Sequence, residues 1–314
     1  VGVSYAPFGQ IQIFKDKHMT SANVMLGLIA QTSIHAGTGS AVGAVDLPIQ
    51  REGHSGWPCI FGASVKGAIR AKAYHSLKPA DEEAFLAIFG ESNANDAHAG
   101  SISVGDARLL LLPVRSLTSA FKWVTCPAVL QRLKRDYQLL GQSLDLNVPT
   151  VSDDTQALWM QESNTLFLEE YRFDAEKYDL AKIAASIANL LPREDFAKSL
   201  KEQLVIVSDD MFTYLANQAT PVNAHIAIKD DGSKTVATSA LWYEETLPPE
   251  TVLYVPMMIQ ASRRNKTFMQ PVEILETLKS TVFAGESQWL QLGGNETVGM
   301  GWCQVKLNPI KTGA

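Results

Sequence analysis

Cysteine is scarce in this 314-residue chain: there are three, Cys59, Cys126 and Cys303, far apart in sequence. An odd, scattered set supplies neither a disulfide framework nor the paired spacing of a zinc site. It fits a reducing compartment, the cytoplasm. Long apolar runs are missing as well, and without 18 or more uninterrupted apolar residues there is no candidate membrane-spanning helix. Nor is there an excess of positive charge. Twenty-seven Lys+Arg stand against 33 Asp+Glu, a formal net charge of -6. That argues against coating nucleic acid by bulk charge but leaves room for a local basic groove, because binding follows local potential. The six histidines show no His-Glu-x-x-His or other metal spacing. Low-complexity tracts, internal repeats and a signal-peptide pattern are absent too. What remains is ordinary globular composition, 46% hydrophobic and 19% charged, in a length that suits about two average domains.

The first methionine, Met19, follows His18. A His-Met pair is what a cloning junction leaves behind, so residues 1–18 read as appended sequence and 19–314 as the domain proper. Within the leader, Gly9 to Asp16 alternates like a short strand. Asn23 to Ile34 is apolar and β-branched and reads as a buried strand. A glycine-rich turn, Gly37-Thr38-Gly39-Ser40-Ala41-Val42-Gly43, follows, then Cys59-Ile60-Phe61 as a short strand. Ser64 is the expected N-cap of a helix from about Val65 to Ser76. Further helices are expected at 128–140 after Pro127, at 178–190, and through Asn217 behind an Asp209-Asp210 cap. Asp230-Asp231-Gly232 between two alternating runs, Asn223 to Lys229 and Lys234 to Trp242, signals a β-hairpin. Strand-helix-strand units beside paired strands give α+β, with a ferredoxin-like arrangement in view.

Several groups of residues carry possible chemistry. The turn at Gly37 is not a dinucleotide loop: its third glycine is one residue late, and Val45-Asp46-Leu47-Pro48 does not continue as a helix. Gly62-Ala63-Ser64-Val65-Lys66-Gly67 lacks the Gly-Lys-Ser/Thr order of a phosphate loop. It still offers a helix N-terminus, with Lys66 and Arg70 four residues apart on one face. Asp46, among apolar neighbours, is either a turn-former accepting backbone N–H bonds or a functional carboxylate. His35 and His54 read as structural histidines, Glu244-Glu245 as a solvated strand end, and Trp289 and Trp302 as core.

Several stretches together resemble one family. They are His35-Ala36-Gly37-Thr38-Gly39 with Val45-Asp46-Leu47-Pro48-Ile49-Gln50-Arg51-Glu52; Ser64-Val65-Lys66-Gly67-Ala68-Ile69-Arg70; Val104-Gly105-Asp106-Ala107-Arg108 with Pro113-Val114-Arg115-Ser116; and Gly293-Gly294-Asn295-Glu296-Thr297-Val298-Gly299-Met300-Gly301. The likeness, which runs from about Met19 to the end, is to the RAMP-superfamily backbone subunits of type III-B (Cmr) CRISPR effector complexes. His35 is followed by Ala36 where proline is common in that family, and Thr246 stands where an aromatic residue occurs in relatives.

The resemblance implies a ferredoxin-like, RRM-related core with helical insertions, and a protruding hairpin, the thumb, near residues 220–245. It implies a filament of copies along a CRISPR guide RNA, joined by other Cmr subunits and paired with single-stranded target RNA, with no membrane involved. It implies target cutting at regular intervals by an endoribonuclease that needs Asp46 and a divalent metal, Mg²⁺ or Mn²⁺. Two roles are open to Asp46, metal ligand or acceptor of the 2′-OH proton, and two to His35, proton transfer or shaping the loop. RNA contacts are implied for Ser64, Lys66, Arg70, Arg51 and the loop residues Gly293, Gly294, Asn295, Gly299 and Gly301. A scaffold that does not cut, and an unrelated nucleotide-binding α+β enzyme, stand as the competing readings.

Overall fold

The structure, a computed structural model, describes residues 22–92, 96–228, 236–264, 266–285 and 288–311. The leader 1–18 with its alternating run, and the hairpin tip Asp230-Asp231-Gly232, lie outside these residues. Every residue of the strand Val24–Ala30 is buried, as its unbroken apolar run requires of a strand covered on both faces. It pairs antiparallel with Val252–Ile259 on one side and Trp302–Pro309 on the other. From there a mixed sheet of twelve strands extends through Ala107–Arg115 and Phe121–Thr125 to Tyr171–Lys177 and Thr165–Leu168. Most pairings are antiparallel; Leu204–Ile206 on Phe121–Thr125 and Tyr171–Lys177 on Gln156–Trp159 are parallel. A second sheet of two strands, Val222–Ile228 and Val236–Glu245, forms the expected hairpin. No described helix is long and apolar enough to cross a membrane.

Some local expectations change for physical reasons. The predicted strand to Ile34 stops at Ala30, and Ile34 instead makes an isolated bridge to Leu247. The first helix spans Gly62–Ser76, so Ser64 lies inside its first turn and is not the cap. The free Gly62 N–H is taken by Asp106 Oδ1 at 2.7 Å, from a loop 44 residues away. At the helix Asp209–Gln218 the cap is Ser208, whose hydroxyl accepts from Met211 N–H at 3.0 Å. Asp209 reaches across to the Ala128 N–H at the start of the neighbouring helix Pro127–Leu139. A further short helix spans Phe196–Gln203. Trp289 and Trp302 are each 38% exposed and are not core residues. All three cysteines are free and buried.

Gly27 shows how tightly the central strand is covered: a Cβ there would stand 2.1 Å from the Leu190 carbonyl oxygen. Gly27→Ala is expected to destabilise the fold by about 1–3 kcal/mol through overpacking. Gly67→Ala, with open space around the added methyl, is expected to be neutral or to gain up to about 1 kcal/mol in a helix. Denaturant unfolding of the two variants checks the contrast; equal stabilities would remove it. Burial raises the Cys59 thiol to about 11 and the Cys303 thiol to about 12, and pushes Cys126 up as well. The native chain is therefore expected to resist an aromatic disulfide reagent at mildly alkaline pH and to release three equivalents only when unfolded. Stoichiometric labelling of the folded chain within minutes would contradict that burial.

Candidate functional site

The segment between the first strand and the first helix folds back on itself and against the base of the hairpin. Ile34 exchanges both backbone bonds with Leu247 at 2.9 Å; Leu47 N–H donates to Tyr243 O and receives Glu245 N–H on its own carbonyl, both at 3.0 Å. Gln50 N–H returns to Ala36 O at 2.7 Å. These backbone bonds fix Asp46 at the edge of the hairpin base. Its Oδ2 accepts Tyr243 N–H at 2.8 Å, the side chain is half-buried, and among the described residues Oδ1 has no hydrogen-bond partner. The turn-forming and functional readings of this carboxylate thus fall on its two different oxygens.

His35 Nδ1 lies 2.8 Å from Glu245 O. A carbonyl only accepts, so Nδ1 carries a proton. The ring is largely buried, and a Cβ on Gly37 would fall 2.6 Å from Nε2. The imidazole therefore packs beneath the glycine turn and shapes it. Its Nδ1 is also 3.6 Å from Glu244 Oε1, which in turn accepts Asn295 Nδ2 at 2.6 Å. Asn295 adopts a left-handed φ of 61° and brings in the glycine loop. Gly293, at φ +85°, could carry no side chain, since a Cβ would stand 2.4 Å from His35 O.

Below lies the feature that sequence reasoning missed. Glu244 and Glu245, expected as a solvated strand end, are 3% and 6% exposed. Glu245 Oε1 accepts Arg51 Nη2 and Thr220 Oγ1, and Oε2 accepts Ile49 N–H at 3.1 Å. Arg51 Nη1 adds bonds to Gly56 O, Ala216 O and Asn217 Oδ1 at 2.8–3.1 Å. Arg51, expected to face RNA, thus commits both terminal nitrogens within the fold. A lone Arg51 and an acid 194 positions later offer no local signal of each other.

The expected RNA residues divide into groups. Ser64, Gly293 and Gly294 border one cleft of about 400 Å³, with Gly37, Gln50 and Gly67. Lys66 does not join them: its ammonium donates to Ile102 O at 3.0 Å, and desolvation lowers its pKa. Arg70 is exposed and stands over the Phe85 ring, 5.2 Å from its centre. Gly299 ends a short 3₁₀ turn, and Gly301 N–H ties the loop to Ser33 O at 2.8 Å. Among the described residues no three His, Cys, Asp or Glu side chains converge on a point where a metal would sit. Asp46 offers a carboxylate oxygen with no hydrogen bond among the described residues. That suits a Mg²⁺ ion carried mainly by water and substrate phosphates, and not a resident protein cage.

Removing one partner from the Arg51–Glu245 pair leaves the other without its counter-charge. Glu245→Ala is expected to cost about 3 kcal/mol. A double-mutant cycle with Arg51→Ala is expected to give a coupling of at least about 1 kcal/mol. Additive losses would show that the pair does not act as a lock.

A family model described as the RAMP superfamily matches residues 28–304. The CRISPR system Cmr endoribonuclease Cmr4 of Pyrococcus furiosus is 36% identical over 296 residues, 91% of this chain and 96% of that protein. A crystal structure of oligomeric Cmr4 from Pyrococcus furiosus superposes with a TM-score of 0.70 at 31% identity, covering 92% of this chain and 99% of the other. A chain in the cryo-EM structure of the type III-B Cmr-beta complex bound to cognate target RNA reaches the same TM-score at 21% identity, over 91% and 96%, and shares the fold.

Proposed function

The chain belongs to the RAMP superfamily, alongside the Cmr4 proteins, and on that premise we propose that it is the guide-RNA-binding backbone subunit of a type III-B effector complex and cuts the guide-paired target RNA at Asp46. Its partners in this reading are CRISPR RNA, single-stranded target RNA, further copies of itself and other Cmr subunits. The core takes the ferredoxin-like, RRM-related arrangement of that family. The hairpin Val222–Ile228 and Val236–Glu245 serves as the thumb. Ile226 and Leu241 face each other across its strands and are more than half exposed, which suits contact with an opened base step.

RNA carries its own nucleophile. A displaced nucleotide brings its 2′-OH in line with the adjacent phosphorus, so positioning supplies much of the acceleration. The 2′-oxygen bonds to phosphorus, the P–O5′ bond breaks, and the 5′-oxygen leaves with a proton from solvent. Asp46 Oδ1 accepts the 2′-OH proton while Oδ2 stays anchored on Tyr243 N–H. The observation that carries this reading is that division of labour between the two oxygens of a half-exposed carboxylate. In the alternative role the same free oxygen would hold Mg²⁺ or Mn²⁺ instead of taking the proton; when bound, the ion would supply charge neutralisation at the phosphate. His35 and Glu244 position the glycine turn and the loop of Asn295. A non-cutting scaffold is the second reading, and the bond to Tyr243 favours it by giving Asp46 a structural task.

Asp46→Asn separates the two, because the amide oxygen can still accept Tyr243 N–H. In the reconstituted complex this variant is expected to assemble and bind target like the parent, while cutting slows by at least about 100-fold. Cutting at the parental rate would leave the scaffold reading in place. A chelator added to the parent complex tests the metal, with loss of cutting and retention of target binding expected.

A further inference from the structure

A second cleft of about 580 Å³ lies on the other side of the segment that carries Gln50 and Arg51. Gln50 borders the glycine-rich cleft, whereas Arg51 turns into this one, where Arg108, Arg132, Arg135 and Phe61 join it. Four guanidiniums face three carboxylates there, and each carboxylate is already engaged. Glu52 holds Arg132 Nη1 at 2.6 Å and Ser55 Oγ. Asp106 caps Gly62 N–H. Asp136 accepts Arg108 Nη1 at 2.7 Å and the buried Tyr254 hydroxyl at 2.8 Å. Arg132, 9% exposed, gives Nη2 to Leu109 O, and its buried Nε has no partner among the described residues.

Donors remain. Arg135 is exposed and makes no hydrogen bond or ion pair among the described residues, and Arg108 bonds through Nη1 alone. Phe61, 43% exposed, offers a bare ring at the same cleft. Planar guanidinium forks suit phosphate oxygens, and an exposed aromatic ring suits the face of any base. Among the described residues no lysine or arginine borders the glycine-rich cleft, whereas four arginines border this one and exceed its carboxylates by one.

We propose that this arginine cleft is a second RNA subsite, seating one nucleotide with its base on Phe61 and its phosphate on Arg135 and Arg108. The inference rests on the RNA-binding reading above and extends it to a surface separate from Asp46. The shared chemistry, a nucleotide phosphate, belongs equally to guide and target strands.

The test follows anisotropy of a fluorescein-labelled single-stranded RNA of guide length with the full chain, across a salt series. Arg135→Ala is expected to weaken binding about fivefold and to flatten the slope of log K against log salt by about 0.7, one phosphate's worth. Phe61→Ala is expected to weaken binding at least about fivefold with the slope unchanged, since stacking releases no counterion. Arg135→Lys is expected to restore the slope. A defect seen with the labelled guide alone assigns the subsite to the guide, and one seen only after a complementary strand is annealed assigns it to the target; both support it. Parental affinity and slope in both alanine variants, with the parent binding RNA, overturn the subsite and leave the wider reading intact. Altered self-association by light scattering with unchanged RNA affinity makes the cleft a protein contact and also overturns it. A parent chain that binds no RNA at low salt overturns the RNA-binding reading and the subsite together. Arg135 has no internal partner to lose, and thermal melts of each variant confirm that the fold is retained.

Discussion

The buried carboxylate of Glu245 is the contact on which the rest of the site depends. It gathers a guanidinium, a hydroxyl and a backbone N–H from three separate places: Arg51, Thr220 and Ile49. A carboxylate out of water is tolerated when its lone pairs are filled, and severe loss follows if one partner is withdrawn. Because Arg51 also grips the end of the helix Asp209–Gln218 through Ala216 and Asn217, one ionic centre fastens hairpin, helix and glycine turn together. Asp46 is a rider on that assembly. Its position comes from Tyr243, two residues before the buried acid.

Glycine performs the complementary task. Where Glu245 draws segments together by charge, Gly37 and Gly293 let backbone and imidazole approach to distances that any side chain would block. The glycine loop, the His35 ring and Glu244 therefore form one packed unit through Asn295. The outcome is two clefts with opposite character on either side of a single strand-like segment. One is lined by small residues and backbone, the other by guanidinium groups and an aromatic ring. Alternation along an extended chain produces this: Gln50 and Arg51 point to opposite sides.

Much of this was legible in the sequence. The run from Val24 announces a strand buried on both faces, Pro127 opens a helix, and the Asp-Gly turn marks the hairpin, because each is a local signal. Asp46 stood out as an acid among apolar neighbours. The failures are those of long-range partnership. Asp106 caps a helix 44 residues earlier and so displaces Ser64, and Glu244 and Glu245 look solvated until the distant Asn295, Arg51 and Thr220 are folded around them. Lys66 was read from helical spacing, but spacing does not say that the ammonium finds the Ile102 carbonyl. Trp289 and Trp302 look like core residues by hydrophobicity, yet Trp289 lies on the edge strand of the sheet and Trp302 opens the strand beside it, both 38% exposed.

Those rims have a bearing on how the molecule meets copies of itself. Among the described residues the long sheet ends in two very short strands, Trp289–Gln291 on one side and Thr165–Leu168 on the other. Brief terminal strands give an incoming chain few backbone groups to pair with, a recognised defence against uncontrolled fibre growth. An ordered stack of such molecules would then have to be built through side-chain surfaces and not as an endlessly continuing β-ribbon.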